Sequence, residues 1–171
     1  QVYQNELIRA LTSENDIDLE LPGTEKCAYF CITSDQDSTF DFLASLFFSF
    51  LFIKLVRFAD AKGEDGKLPV GVNFILDEFP NIGAIPDFKK KISTVRSRNI
   101  SLSVILQNIA QLKNRYPNDE WQEIIGSCDT QLALGCTDEM TARFISNRTG
   151  EVTIAVNSES KQLHTMRFSD Y

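Results

Sequence analysis

The sequence predicts an α/β domain built on a mostly parallel sheet with helices on both faces. Three observations predict it. Four runs have strand length, KCAYFCIT (26–33), LPVGVNFIL (68–76), ISLSVIL (100–106) and TQLALGC (130–136), and the first two read as buried strands, 26–33 on both faces as parallel strands are. Segments with helical spacing lie between them, and strand–helix alternation favours parallel pairing. Two of the runs end in polar residues, Asp77 and Glu78 after the second and Gln107 after the third. Ligands of open α/β sheets sit beyond those carboxyl ends.

Each element has its own signal. Residues 1–11 (QVYQNELIRAL) space Val2, Leu7, Ile8 and Leu11 as one helical face, and an acidic loop closing on Pro22-Gly23 follows. SDQDST supplies N-cap candidates for a long helix over about 40–61, rich in Phe40, Phe42, Phe47, Phe48, Phe50 and Phe52. That helix is apolar nearly all round, which predicts cover on most sides. Its apolar stretch FLASLFFSFLFI, bracketed by Asp41 and Lys54, falls short of the roughly 20 residues a bilayer needs, so it reads as core with no membrane contact. KGEDGKLP is a surface turn before the second strand. Pro86 opens a helix running to about Arg98, with Asp87 near the positive end of its dipole. NIAQLKNRY forms a helix that Pro117 breaks, DEWQEIIGSC a shorter one, and 138–149 a last one stopped by Gly150. EVTIAVNSES reads as a strand entering a polar end. Three divisions follow: 1–22, 23–157 and the polar segment 158–171.

With 171 residues the chain is one domain long, and 24 acidic against 17 basic residues give a net charge of -7. Such a surface does not suit a sequence-independent DNA clamp, so any nucleic-acid contact is local. Cys27 and Cys31, in one predicted strand, stand about 13 Å apart, too far for a disulfide. With Cys128 and Cys136 they make four reduced thiols, and the single histidine, His164, argues against a zinc site. The chain begins at Gln1 and reads as part of a longer polypeptide.

A strand-end aspartate holds the water shell of a nucleotide-bound Mg²⁺, and a neighbouring glutamate accepts a proton from the water that attacks the γ-phosphate. Asp77 and Glu78 fit that pair, while Gln107 fits a sensor that couples the γ-phosphate to the next helix. Asp-Glu after four apolar residues is also frequent in α/β proteins as a plain strand end. The phosphate-binding signature GxxxxGK[ST] is absent, and GEDGKL (63–68) has the wrong spacing, so the chain alone is not expected to bind ATP.

FILDEF with NIGAIPDF, then SRNISLSVILQNIAQLKNRYP, then IIGSCDTQLALGCTDEMTARFISNRTGEVTI, resembles the type IV coupling proteins of bacterial conjugation, the VirD4/TraG/TraD group, over roughly 24–155. The resemblance implies a RecA-like P-loop NTPase fold lacking its Walker A half. It implies a hexameric ATPase at the cytoplasmic face of the cell membrane. Such a motor uses ATP and Mg to deliver relaxase-bound DNA to a type IV secretion channel, with DNA, relaxosome proteins and channel components as partners. By position, Asp77 and Glu78 match the Walker B pair and Gln107 the glutamine motif. Arg96 matches the arginine that reaches a neighbouring subunit's nucleotide, and Arg98 competes for that role. The family's membrane helices and Walker A loop are not in this sequence, and 1–11 matches the trailing edge of an inserted all-α domain. The region from Asp129 to Thr149 resembles one linked to partner recognition. Lys89, Lys90 and Lys91 read as a solvated helix face, Phe88 as core, and Trp121 as a loop anchor. Two rival readings are an FtsK- or HerA-like DNA pump and a catalytically inactive adaptor that kept the fold to bind partners.

Overall fold

The computed structural model of the chain describes residues 9, 13–14, 16–33 and 38–152. Among them, helix α1 (Asp41–Lys62) is followed by strand β1 (Val72–Leu76), helix α2 (Phe88–Thr94) and strand β2 (Ile100–Val104). Helices α3 (Ile109–Arg115), α4 (Glu120–Gly126) and α5 (Glu139–Thr149) complete the order. β1 and β2 pair in parallel, with Val72 opposite Ile100 and Leu76 opposite Val104. Parallel pairing needs a crossover, and α2 provides it.

Period-two alternation gives the sheet two unlike faces. Phe74, Leu76 and Ile100 are buried on one, and Leu102 and Val104 pack against the same core. Asn73, Ile75, Ser101, Ser103 and Ile105 point the other way and are exposed, with Ile75 70% accessible. On that open face the Ser101 hydroxyl donates to the Asn73 amide oxygen across the strands. The covered face meets α1 through aromatic rings. Phe52 stacks on Phe74 with centroids 4.2 Å apart and meets Phe88 of α2 edge-on at 6.2 Å. Phe88 packs on Phe79 at 4.6 Å, and Phe79 stacks on Tyr116 at 5.3 Å. Leu55 and Ala59 of α1 are fully buried beside this column. Where α1 starts, the loop after β1 passes so closely that a Cβ on Gly83 (φ +91°) would lie 3.0 Å from the Asp41 carbonyl oxygen. Only glycine fits there without strain.

The sequence expectation holds at the level of a mixed helical fold around a small two-stranded parallel sheet, and several finer expectations need correction. Segments 26–33 and 130–136 are not strands: the sheet has β1 and β2 alone among the described residues. Nor are they buried, since Phe30 and Ile32 are 89% and 94% accessible and Leu132 and Leu134 82% and 92%. Apolar content is rewarded as a strand only when a ladder partner and a second layer cover it, and neither is in place. The helices of the sheet lie on one face rather than both. The helix after Pro86 starts later, at Phe88, and passes into a 3₁₀ turn at Arg96–Arg98. α1 is less covered than its composition predicts, because Leu46, Phe50 and Ile53 are exposed along one side. Its 22 residues are also long and apolar enough to cross a membrane by length and composition, where the sequence reading counted too few. The expected elements at 1–11 and 151–160, and His164, fall mostly or wholly outside the described residues. All four cysteines are free, Phe88 is core and Trp121 is buried against Phe144.

Replacing Phe52 with alanine removes a ring from the centre of the aromatic column. A loss of about 3–5 kcal/mol in urea unfolding is expected, against less than about 0.5 kcal/mol for Ile75→Ala on the open face. The reverse ranking would put the core on the other side of the sheet.

Candidate functional site

The two strands stay bonded beyond their formal ends. The Ile105 amide donates to Leu76 O and the Phe79 amide to Ile105 O, each at 3.0 Å. Asp77 and Glu78 are therefore held beside the segment that leads to Gln107. Asp77 is exposed, and its Oδ1 accepts from the Glu78 amide at 3.1 Å. Glu78 adopts a left-handed backbone (φ 48°, ψ 41°), which costs a non-glycine residue about 1–2 kcal/mol. The turn sends the chain into the 3₁₀ segment Phe79–Asn81, burying Phe79 and Pro80. Gln107 Nε2 then donates to Glu78 Oε1 at 2.8 Å. Asp77, Glu78 and Gln107 thus share one rim at the carboxyl ends of neighbouring parallel strands.

The rim is braced by residues that sequence reasoning missed. Directly after Gln107, the Asn108 side chain caps α3 by accepting from the Gln111 amide at 2.9 Å. The buried Thr141 of α5 accepts from the Ile109 amide at 3.0 Å, so two side chains satisfy the start of α3. Asp138 caps α5 by accepting from the Thr141 amide at 2.8 Å, and that bond holds its carboxyl below the usual range. At the far end of α3, Arg115 Nε donates to Pro80 O at 2.7 Å, and the Tyr116 hydroxyl accepts from the Ile85 amide at 3.0 Å. Burial pushes the Tyr116 phenol up to about 12, against smaller opposing effects of the Ile85 amide and Arg115. α3 therefore grips both Glu78's exit turn and the loop that follows it. Asp138 and Thr141 have N-cap spacing, a signal in the sequence; Tyr116 lies 31 residues from Ile85 and has none.

The arginines are not part of this rim. Both lie in the 3₁₀ turn before β2, at the opposite end of the sheet, roughly 15–20 Å away at about 3.3 Å per strand residue. Arg98 forks onto Asp60 of α1 (Nε–Oδ1 2.9 Å, Nη2–Oδ2 3.3 Å) and donates Nη1 to Thr94 O at 2.8 Å. Arg96 has only a surface contact, Nη1 to Asp129 at 2.8 Å, and is 81% exposed. GEDGKL is also at the wrong end. It closes as a tight turn through an antiparallel Glu64–Lys67 bridge, and Leu68 N donates to Arg98 O at 3.1 Å.

Residues 71–170 match the family model described as "TraM recognition site of TraD and TraG". The chain belongs to the type IV coupling protein family, the VirD4/TraG group. It is 26% identical to the protein VirD4 of Rhizobium radiobacter over 160 residues, covering 93% of this chain and 23% of that protein. Against VirD4 of Agrobacterium fabrum it is 24% identical with the same coverage. It is 32% identical to the conjugal transfer protein TraG of Escherichia coli over 104 residues, 56% of this chain and 16% of that protein. The chain thus spans about a quarter of the length of the VirD4 proteins it matches. No solved structure matches it significantly.

For this coupling-family chain the rim offers a defined set of groups. Asp77 keeps one oxygen free of the Glu78 amide, which suits an outer-sphere role toward a hydrated divalent cation. Glu78 has one oxygen engaged by Gln107 and the other open. Gln107 is the one side-chain donor bonded to the rim carboxylates among the described residues, and no lysine or arginine pairs with them, so the groups present fit the metal side of a nucleotide site better than its phosphate side.

Arg98→Ala is expected to lower unfolding stability by about 1–2 kcal/mol, because its paired fork is only 25% exposed, whereas Arg96→Ala stays within about 0.5 kcal/mol. Equal costs in urea titrations would contradict the assignment of Arg98 as a structural clamp. The phenol of Tyr116 makes a second prediction. Its folded pKa lies above the unfolded value of 10.0, so its contribution is fully present below pH 10 and is lost as pH rises toward 12. Thermal unfolding followed over that window should show the stability loss diminished in Tyr116→Phe, and an unchanged pH slope in the variant would assign the loss elsewhere.

Proposed function

We propose that this chain is the Walker B part of a RecA-like motor domain in a conjugative coupling protein. The whole protein would hydrolyse ATP to move relaxase-bound DNA toward a type IV secretion channel, as a hexamer at the cytoplasmic face of the cell membrane. The observation that carries the reading is the shared rim: Glu78 and Gln107, on adjacent parallel strands, bonded at 2.8 Å with Asp77 beside them. Bound MgATP would supply the reactive phosphate and the charge that neutralises it. Asp77 would orient the cation's water shell. Glu78 would accept the proton of the attacking water on its open oxygen. Gln107 would hold the Glu78 carboxylate through Nε2 and, being joined to α3, pass a change at the rim to Arg115 and Tyr116. Arg96, exposed and remote from its own rim, would act in a neighbouring copy's site.

The family description adds partner recognition to the reading, so a relaxosome protein of the TraM kind is the proposed partner class for residues 71–170. A catalytically inactive adaptor that keeps the fold to bind partners is the competing reading.

Joined to an upstream half carrying a Walker A loop, the chain should support ATP turnover. Glu78→Gln should lower turnover by at least about 10²-fold while nucleotide stays bound. Full activity in that variant would remove Glu78 as the base, and no turnover in the joined wild-type protein would favour the adaptor. Titration calorimetry of the 171-residue chain alone should show no ATP binding at micromolar concentration.

A further inference from the structure

Gln107 lies between two anchored points of the chain. On one side Ile105 is bonded twice to the other strand segment: its amide donates to Leu76 O, and its carbonyl accepts from the Phe79 amide, each at 3.0 Å. On the other side the amide of Ile109, the first residue of α3, donates to the Thr141 hydroxyl oxygen at 3.0 Å. The first amides of a helix have no partner within it, and water takes them where the end is exposed. Here a side chain of α5, 32 positions further along the chain, takes one instead. Thr141 is only 7% exposed and is one of three buried polar residues among those described, the others being Ser45 and Ser49 of α1. Ser45 bonds locally, donating to Phe42 O at 2.9 Å, as hydroxyls in helices commonly do. Thr141 gives its hydroxyl to another element. Its amide and, after it, its hydroxyl hold the Asp138 carboxyl below the usual range, so the hydroxyl proton serves Asp138 and the lone pairs serve Ile109.

We propose that Thr141 is a positioning residue for Gln107, so that α5 sets how Gln107 Nε2 meets the Glu78 carboxylate. Residues 106–108 bridge two fixed ends. Release of the Ile109 end lets the bridge turn about Ile105, and Nε2 then leaves its 2.8 Å contact with Glu78 Oε1. The Asn108 cap cannot replace the missing bond. It runs from the Gln111 amide to Asn108 Oδ1, within α3 and its own cap, and ties neither to the rest of the molecule. The far end of α3 is fixed separately, by Arg115 on Pro80 O and Tyr116 on the Ile85 amide. Loss of the Thr141 bond is therefore felt at the end next to Gln107. The role needs the hydroxyl alone, so serine serves it and valine, of nearly the same shape, does not. The effect on Gln107 belongs to this chain, whereas its consequence for turnover rests on the hydrolytic reading of the rim.

The test reads the side-chain amide resonances of Gln107 by NMR in the isotope-labelled, full 171-residue chain. Glu78→Ala supplies the positions these resonances take without the carboxylate partner. Thr141→Val should move them toward those positions, and Thr141→Ser should leave them where the wild type has them. Phe144→Leu loosens the packing of α5 on Trp121 without touching the hydroxyl, and should also leave them in place. Ile109→Pro deletes the donor instead of the acceptor, at a first helical position that accepts proline and after an extended residue that suits it. It should act as Thr141→Val does, and decides the matter should that variant fail to fold. In the protein joined to an upstream half carrying a Walker A loop, Thr141→Val should lower kcat about threefold to tenfold with KM for ATP unchanged, and Thr141→Ser should keep it. Gln107 resonances that stay in place in folded Thr141→Val, or that move equally in Phe144→Leu, overturn the proposal. Moved resonances with an unchanged kcat overturn its bearing on the reaction. Absence of turnover in the joined wild type counts against the motor reading alone, and the resonances still decide the role of Thr141.

Discussion

The position of Phe79 is the constraint on which the rest of the candidate site depends. Its ring is fully buried, packed on Phe88 at 4.6 Å and stacked nearly parallel on Tyr116 at 5.3 Å. Burying a phenylalanine contributes about 1.5–3 kcal/mol, enough to offset the left-handed backbone of the residue before it. The core thus dictates the turn, and the turn dictates where the Glu78 carboxylate stands. Gln107 arrives at the same place from β2 because Leu76 and Ile105 stay bonded past the end of the ladder. A strained backbone held by packing, next to two carboxylates and an amide, is where strain is commonly stored for function.

What could be read from the sequence follows from how local each signal is. The pairing of 72–76 with 100–104 was legible because two apolar runs of strand length flank a segment long enough for a crossover. Asp77, Glu78 and Gln107 were legible as a group because parallel strands in register deliver their carboxyl ends to one edge. The long Phe-rich helix was legible too, from Asp41 to its end near Lys62. Its burial was not, because composition does not say which side finds a partner. Nor was the brace made by Tyr116 and Thr141, whose partners lie 31 and 32 residues away along the chain. The segments 26–33 and 130–136 have strand composition without a strand's surroundings, and composition was the only signal available.

The residues flanking those two segments touch the ends of the sheet. Gly23, just before the first, accepts from the Val70 amide at 3.0 Å near the amino end of β1, and the start of α1 meets Gly83 beyond its carboxyl end. Asp129, just before the second, contacts Arg96 ahead of β2, and Thr141, soon after it, meets Ile109 beyond β2. Neither segment bonds to a strand among the described residues. With Ile75 and Ile105 uncovered on the open face, large apolar side chains from four segments face water, and parallel sheets are rarely stable in that condition. On the proposed motor reading, further strands and a second helical layer would cover these side chains.

The two ends of the sheet divide the chemistry in a way that bears on assembly. Carboxylates and the glutamine lie at the carboxyl ends; both arginines lie at the amino end of β2. Arg98 is committed there, since three of its hydrogen bonds fix α1 and α2 to the turn before β2. Arg96 is committed to nothing comparable, because an exposed pair such as the one with Asp129 contributes at most about 1 kcal/mol. No rotamer change spans a sheet, so an arginine from this turn meets a Glu78 rim only when that rim belongs to another molecule. If both groups serve one reaction, they come from different molecules, because the turn before β2 and the Glu78 rim lie at opposite ends of one sheet.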